Sequence, residues 1–162
     1  MGISQVKEYF GGLGIADRIL EFKVSSATVD LAAQAVGTIP DRICKSLSFK
    51  DRDSGGAIIV CASGLARIDN RKFKDKFEQK ASMLTTEEVE LFTGHPVGGV
   101  CPFALPEDQN VRVYIDKSLT KYETIFPACG ATNSAIEMTP QELYDVAKAI
   151  EWIDVCRDTG DE

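Results

Sequence analysis

The chain has 162 residues, 44% apolar and 27% charged, with 18 basic against 25 acidic side chains for a net charge of −7. That composition suits one folded domain over residues 1–162 and excludes a disordered or low-complexity chain. The acidic balance argues against sequence-independent nucleic-acid binding, which rests on counterion release by Lys and Arg, while leaving room for a local basic face.

Five cysteines, at positions 44, 61, 101, 129 and 156, form no C-x-x-C pair and read as reduced core thiols. His95 is the sole histidine, so no Cys/His metal set and no cofactor are expected. The longest apolar stretches, such as residues 57–62, have strand length and are far too short to span a bilayer. No basic-then-apolar leader opens the chain, and a cytoplasmic protein without a membrane partner is expected.

In chain order, residues 4–13 read as a short helix ended by Gly11, Gly12 and Gly14, and residues 18–24 as a short strand. Thr28 offers an N-cap for a helix over residues 29–36 that Gly37 closes. Ile43, Leu47 and Phe49 alternate with polar residues, residues 51–56 make a turn, and residues 57–62 are fully apolar, which predicts a hairpin. Residues 70–77 form a short helix. Thr85 with Glu88 fits a capping box for a helix to Phe92 that stops at Gly94. Residues 111–115, 123–128 and 134–138 are strand candidates, rich in β-branched and aromatic side chains. The run Thr139-Pro140-Gln141-Glu142 combines an N-cap, proline at the first helical position and a capping-box Glu, and opens a helix through about Asp154. Interspersed strands and helices without regular βαβ alternation predict a mixed α/β (α+β) domain with antiparallel pairs in its sheet.

The sequence holds no G-x-S-x-G elbow, no P-loop and no G-x-G-x-x-G after a strand, and Gly11 to Gly14 reads as a helix C-cap. Two features carry chemistry. Lys45 shares a strand face with Ile43 and Leu47, and an inward lysine is costly unless it is paired or borders a pocket. The loop Gly98-Gly99-Val100-Cys101-Pro102 places glycines and a proline where exposed amides can stabilise a developing oxyanion. Its plainer reading is a tight turn. A thiol enzyme would need Cys101 beside those amides with a lowered pKa, and a Cys/His pair would need His95 to reach a cysteine. Between Arg67 and Lys80, six basic residues outnumber three acidic ones; a solvated helix face is the simpler account and an RNA-facing patch the alternative.

The order Lys45-Ser46-Leu47, Gly64, Asp69, Gly98-x-x-x-Pro102, Asp116-x-Ser118-Leu119, Gly130 and Thr139-Pro140-x-Glu142-Leu143 resembles the YbaK/prolyl-tRNA-synthetase-associated domain family across nearly the whole chain. The resemblance implies a mixed sheet curled towards a barrel and surrounded by helices. It implies hydrolysis of the ester joining a wrong amino acid to tRNA, usually proline tRNA carrying Ala, Cys or a similar residue. The partners implied are the acceptor end of tRNA and, at one remove, an aminoacyl-tRNA synthetase. The family's lysine maps onto Lys45 and its G-x-x-x-P loop onto Gly98, Gly99, Val100, Cys101 and Pro102. Substrate contacts are implied at Phe22, Ser46, Gly130 and Asn133, with weaker RNA contacts at Lys50, Lys74, Lys76 and Lys80. Family enzymes use no protein nucleophile, the substrate's own ribose hydroxyl positioning or activating water. Ala104 departs from the glycine that many relatives carry after Pro-Phe. The rival from another class is a non-catalytic module that binds an aminoacyl-tRNA end or a nucleotide in the same cleft.

Overall fold

In the computed structural model, which describes residues 2–158, helix α1 (Ile3–Leu13) runs through Gly11 and Gly12 and stops only at Gly14, which caps it in the left-handed conformation. Strand β1 (Leu20–Glu21) is shorter than the expected 18–24. Helix α2 (Val29–Val36) starts where Thr28 accepts the Leu31 amide and ends at Gly37, as the sequence predicts. Strands β2 (Ile43–Lys50) and β3 (Ala57–Ser63) form the expected antiparallel hairpin. Asp51 builds the connecting turn, accepting the Asp53 amide and the Ser54 hydroxyl. Strand β4 (Ala66–Ile68) follows, then α3 (Asn70–Phe77) and α4 (Thr86–Thr93), the latter opened by the Thr85–Glu88 capping box. The remaining elements are β5 (Val111–Asp116), β6 (Phe126–Pro127), β7 (Ser134–Ala135), α5 (Pro140–Val146), β8 (Glu151–Ile153) and β9 (Cys156–Asp158).

The main sheet has the order β6-β2-β3-β5-β8, parallel except between β2 and β3. Two antiparallel ribbons, β1–β7 and β4–β9, flank it. This is the mixed α/β architecture that the sequence and its resemblance imply. Every residue of β3 is buried because it is the central strand with both faces covered. Ile59 and Cys61 face a core with Phe10, Phe103, Ile115 and Leu143. Ile58, Val60 and Ala62 face a second core with Phe49, Phe73 and Tyr114.

The long C-terminal helix is a correction. Helix α5 ends at Val146, and Lys148 adopts a left-handed φ of 54°. The Ile150 amide then donates to the Val113 carbonyl, and Glu151–Ile153 pairs in parallel with Tyr114, Ile115 and Asp116. The open edge of β5 captures a segment whose local pattern is helical, because ladder hydrogen bonds and burial of Ile153 outweigh propensity. Residues 123–128 and 134–138 likewise shrink to β6 and β7, joined by an isolated bridge between Ile125 and Met138. The three-residue strands β4 and β9 fall below the length at which alternation is readable.

Candidate active site

Lys45 lies midway along β2, half-buried. Its Nζ donates to the Gly64 carbonyl at 3.2 Å and to the Ala66 carbonyl, so no carboxylate neutralises it among the described residues. Burial holds its ammonium below the ordinary lysine range, and nearby Arg67 pushes in the same direction. The carbonyls are placed by a buried network. The Ser63 hydroxyl donates to the Asp41 carboxylate, which also accepts the Tyr122 hydroxyl at 2.7 Å and pairs with Lys121 at 3.0 Å. The Ser63 amide donates to the Ser118 hydroxyl, and Asp116 caps that turn through the Ser118 amide while its other oxygen accepts the Val155 amide. The Asp116-x-Ser118 motif is therefore scaffolding that fixes the end of β3. A Cβ at Gly64 would lie 2.1 Å from the Pro40 carbonyl oxygen, so only glycine permits that close turn.

Beside Lys45 opens a cavity of about 330 Å³. Its walls are mostly apolar, with Ile43, Val89 and Phe126 among them, and four serines at 26, 46, 48 and 134 supply the polar edge. Among the described residues no Asp, Glu or His lines it. Gly98 and Val100 line it too, and their amides make no hydrogen bond among the described residues. The other three loop residues do not. Gly99 donates its amide to the Pro96 carbonyl at 2.9 Å and packs on the Ala131 backbone. Cys101 is fully buried in the core, and Pro102 is buried along a separate cavity with Tyr9 and Val146. Ala104 keeps a left-handed φ of 53°, a conformation that the relatives' glycine takes without a cost of roughly 1–2 kcal/mol.

Of the substrate contacts implied by the resemblance, Ser46 lines the cavity, its hydroxyl 3.7 Å from Cys61 Sγ. Phe22 and Asn133 instead bind each other, amide to carbonyl at 2.8 Å and Asn133 Nδ2 to carbonyl at 2.9 Å, which extends the β1–β7 ribbon. Neither lines the cavity, whereas their chain neighbours Ser26 and Ser134 do. Gly130, at φ 91°, packs against Gly2 and Ile3 and borders a different cavity. Lys50 approaches Glu88 at 3.8 Å and Lys76 pairs with Glu151, while Lys74 and Lys80 are exposed. None of the four lines a cavity that Lys45 borders. Ser26, Ala27, Ala128 and Ser134 carry no sequence signal, since loop residues converge only through the fold.

The structure brings His95 to a cysteine, the contact that a Cys/His pair would need. Its Nε2 lies 2.7 Å from the Phe103 carbonyl and 3.4 Å from Cys101 Sγ, with both side chains buried. The carbonyl assigns the proton to Nε2. Burial pushes the imidazole pKa down and the Cys101 thiol well up, so the pair is neutral and lacks the thiolate a nucleophile requires. It pins the loop to the core. Nδ1 has no partner, so protonation of the folded state gains nothing. The unfolded chain takes that proton near pH 6.5, and stability present above this pH is lost as pH falls through it. Melting temperature is expected to drop from pH 7 to pH 5.5 in the wild type, and much less in His95→Gln. Equal slopes in the two proteins would refute this role. Among the described residues no group of three His, Cys, Asp or Glu side chains is arranged to hold a metal ion. No helix among them is long and apolar enough to cross a membrane.

A family model described as the aminoacyl-tRNA editing domain matches residues 24–146, which span α2 to α5 and include the cavity, Lys45 and the loop. The chain belongs to this family. This editing domain is 46% identical over 158 residues to the uncharacterized protein YwhH of Bacillus subtilis (strain 168), covering 98% of this chain and 99% of that one. It is similar to the crystal structure of a protein proposed to be a trans-editing enzyme for prolyl tRNA synthetase, at a TM-score of 0.84 and 29% identity over 96% of each chain. The solved structure of a hypothetical protein matches with a TM-score of 0.81 and 29% identity, over 94% of this chain and 99% of that one.

Proposed function

We propose that this editing domain hydrolyses the ester of a mischarged aminoacyl-tRNA, acting in trans in the cytoplasm on proline tRNA that carries a small wrong amino acid. The observation that carries the reading is one cavity bordered by the Lys45 ammonium and by two loop amides that are free among the described residues, none of whose carboxylates or histidine lies in its wall. Such a site supplies orientation and charge, not a protein nucleophile. In this reading water adds to the acyl carbon, and the Gly98 and Val100 amides receive the developing oxyanion. Lys45 holds the ester end of the nucleotide. The tetrahedral intermediate then collapses with cleavage of the acyl C–O bond, and the leaving ribose oxygen takes the proton that the attacking water gives up. The substrate's adjacent ribose hydroxyl orders the attacking water, a contribution through positioning. A volume of about 330 Å³ sits at the low end of ligand pockets and suits a small acyl group.

A panel of proline tRNA charged with Ala, Cys or Pro tests this. Faster release of Ala or Cys than of Pro is expected. Tight binding of every aminoacyl-tRNA with no turnover would overturn it in favour of a binding module.

A further inference from the structure

On the far side of Lys45 from the acyl cavity lies a second, larger one of about 840 Å³. Lys45 and Met83 border both. Three cations line the second cavity, Lys45, Arg67 and Arg157, and among the described residues no carboxylate does. That is anomalous in a chain with 25 acidic and 18 basic residues.

The two arginines are direct partners across the antiparallel β4–β9 ribbon. Side chains at such positions stand on one face with Cβ atoms about 4.5–5.5 Å apart, and like charges placed there repel. Both are exposed, and among the described residues neither guanidinium has an ion pair or a hydrogen bond. Two mutually repelling guanidiniums, unpaired among the described residues and over a cavity that none of their acids lines, describe a seat for an anion, since planar forks bind phosphate oxygens in pairs. The cavity rim adds exposed apolar surface, Leu65 at 46% and Met83 at 56%. A nucleobase offers a flat apolar face to such side chains.

We propose that the second cavity receives the single-stranded 3′ end of the RNA, with a backbone phosphodiester held between Arg67 and Arg157 and a base laid against Leu65 and Met83. This rests on the editing reading above. The RNA end then reaches Lys45 from one side while the acyl group fills the smaller cavity on the other. In this proposal the RNA contacts lie on the β4–β9 ribbon rather than on Lys50, Lys74, Lys76 and Lys80. A local pair of cations also reconciles an acidic chain with an RNA ligand, because affinity needs only the phosphates at the tail.

The test uses an uncharged RNA hairpin bearing a single-stranded 3′ tail, and the same hairpin trimmed flush, titrated by fluorescence anisotropy across a salt series. The wild type is expected to prefer the tailed hairpin. Arg67→Gln and Arg157→Gln should each abolish that preference and lower the magnitude of the salt slope by about 0.7, the value per single-strand phosphate contact. Their melting temperatures should equal or exceed the wild type's, because a like-charge pair has been removed, and Arg157→Lys should restore part of the binding. An aminoacyl ester of adenosine alone, which lacks the phosphodiester, should distinguish the variants from the wild type far less than mischarged tRNA does. If the wild type hydrolyses neither ester, the editing reading fails, while the anisotropy series still decides this site. Unchanged tail preference and salt slope in both glutamine variants would overturn the proposal. So would displacement of the tail by millimolar inorganic phosphate, which would assign the arginines to a free anion.

Discussion

Lys45→Ala is expected to lower single-turnover deacylation by at least two orders of magnitude while shifting the melting temperature little. Removal of one charge-stabilising donor from a transition state typically costs about 10²–10³ in rate, roughly 2.7–4 kcal/mol. Stability responds to two opposing effects. The Gly64 and Ala66 carbonyls lose their donor, which alone costs about 1–3 kcal/mol when such groups stay dry. Against this, the variant no longer desolvates an ammonium that has no carboxylate partner among the described residues, and Gly64 borders a cavity from which water can replace Nζ. The net change stays within about 1 kcal/mol, inside the range of an ordinary single substitution. Lys45→Met keeps the stem and isolates the charge, so it should be as inactive as the alanine variant. The pH profile adds an independent readout. Because burial lowers the lysine pKa, the charged form disappears at a pH below the ordinary value of about 10.4. After subtraction of spontaneous ester hydrolysis, kcat/KM should fall on the alkaline side with a midpoint below that value. Near-wild-type turnover in folded Lys45→Met, or a profile flat to pH 10.5, would remove Lys45 from the reaction.

Local chemistry made most of the helices and the central hairpin legible. Thr28, Thr85 and Thr139 each cap the helix they were expected to cap, and Gly37 and Gly94 end theirs. These signals span only three or four residues and act through the backbone, so sequence carries them directly. What failed was whatever depends on a distant partner. Residues 151–153 became β8 because β5 presents a free edge, and nothing within their own window records that edge. Arg67 and Arg157 lie far apart in sequence and become neighbours only through β4–β9 pairing. The same divide runs through the site. Lys45 was legible as a cation on an apolar strand face, whereas Phe22 and Asn133 proved to hold the ribbon beside the cavity, and Ser26 and Ser134 took their place at its wall.

Gly98→Ala and Gly99→Ala should fail in different ways, although sequence alone suggests that both act through activity. Gly98 sits at φ 90° on the cavity wall, where a Cβ would lie 3.0 Å from Ala27 Cβ and 3.2 Å from Thr132 Cγ2. Both neighbours are side-chain atoms on exposed or half-buried loops that give by a few tenths of an ångström. The stability cost is then mainly the left-handed backbone, roughly 1–2 kcal/mol. Turnover suffers more, because relaxing the strained φ turns the free amide away, and losing one oxyanion donor costs about 10²–10³ in rate. Gly99 meets a harder obstacle. Its Cβ would fall 2.7 to 2.9 Å from the nitrogen, Cα and carbonyl carbon of Ala131, all backbone. Its amide is already bonded to Pro96, so it has no donor to offer the substrate. Relief requires separating the loop from the 129–134 turn, whose Ser134 hydroxyl accepts the Cys129 and Ala131 amides. Overpacking against backbone of this kind is expected to cost about 3 kcal/mol or more. At about 2–4 °C per kcal/mol for a chain of this size, the melting temperature falls by roughly 6–12 °C. Thermal unfolding and single-turnover deacylation on the same samples, the latter well below melting, separate the two. Gly98→Ala should be stable and slow, and Gly99→Ala should melt early yet keep most of its rate while folded. A Gly98→Ala protein within a few-fold of wild-type turnover would reduce the loop to a turn. A Gly99→Ala protein that melts with the wild type would show that the Ala131 contact yields easily.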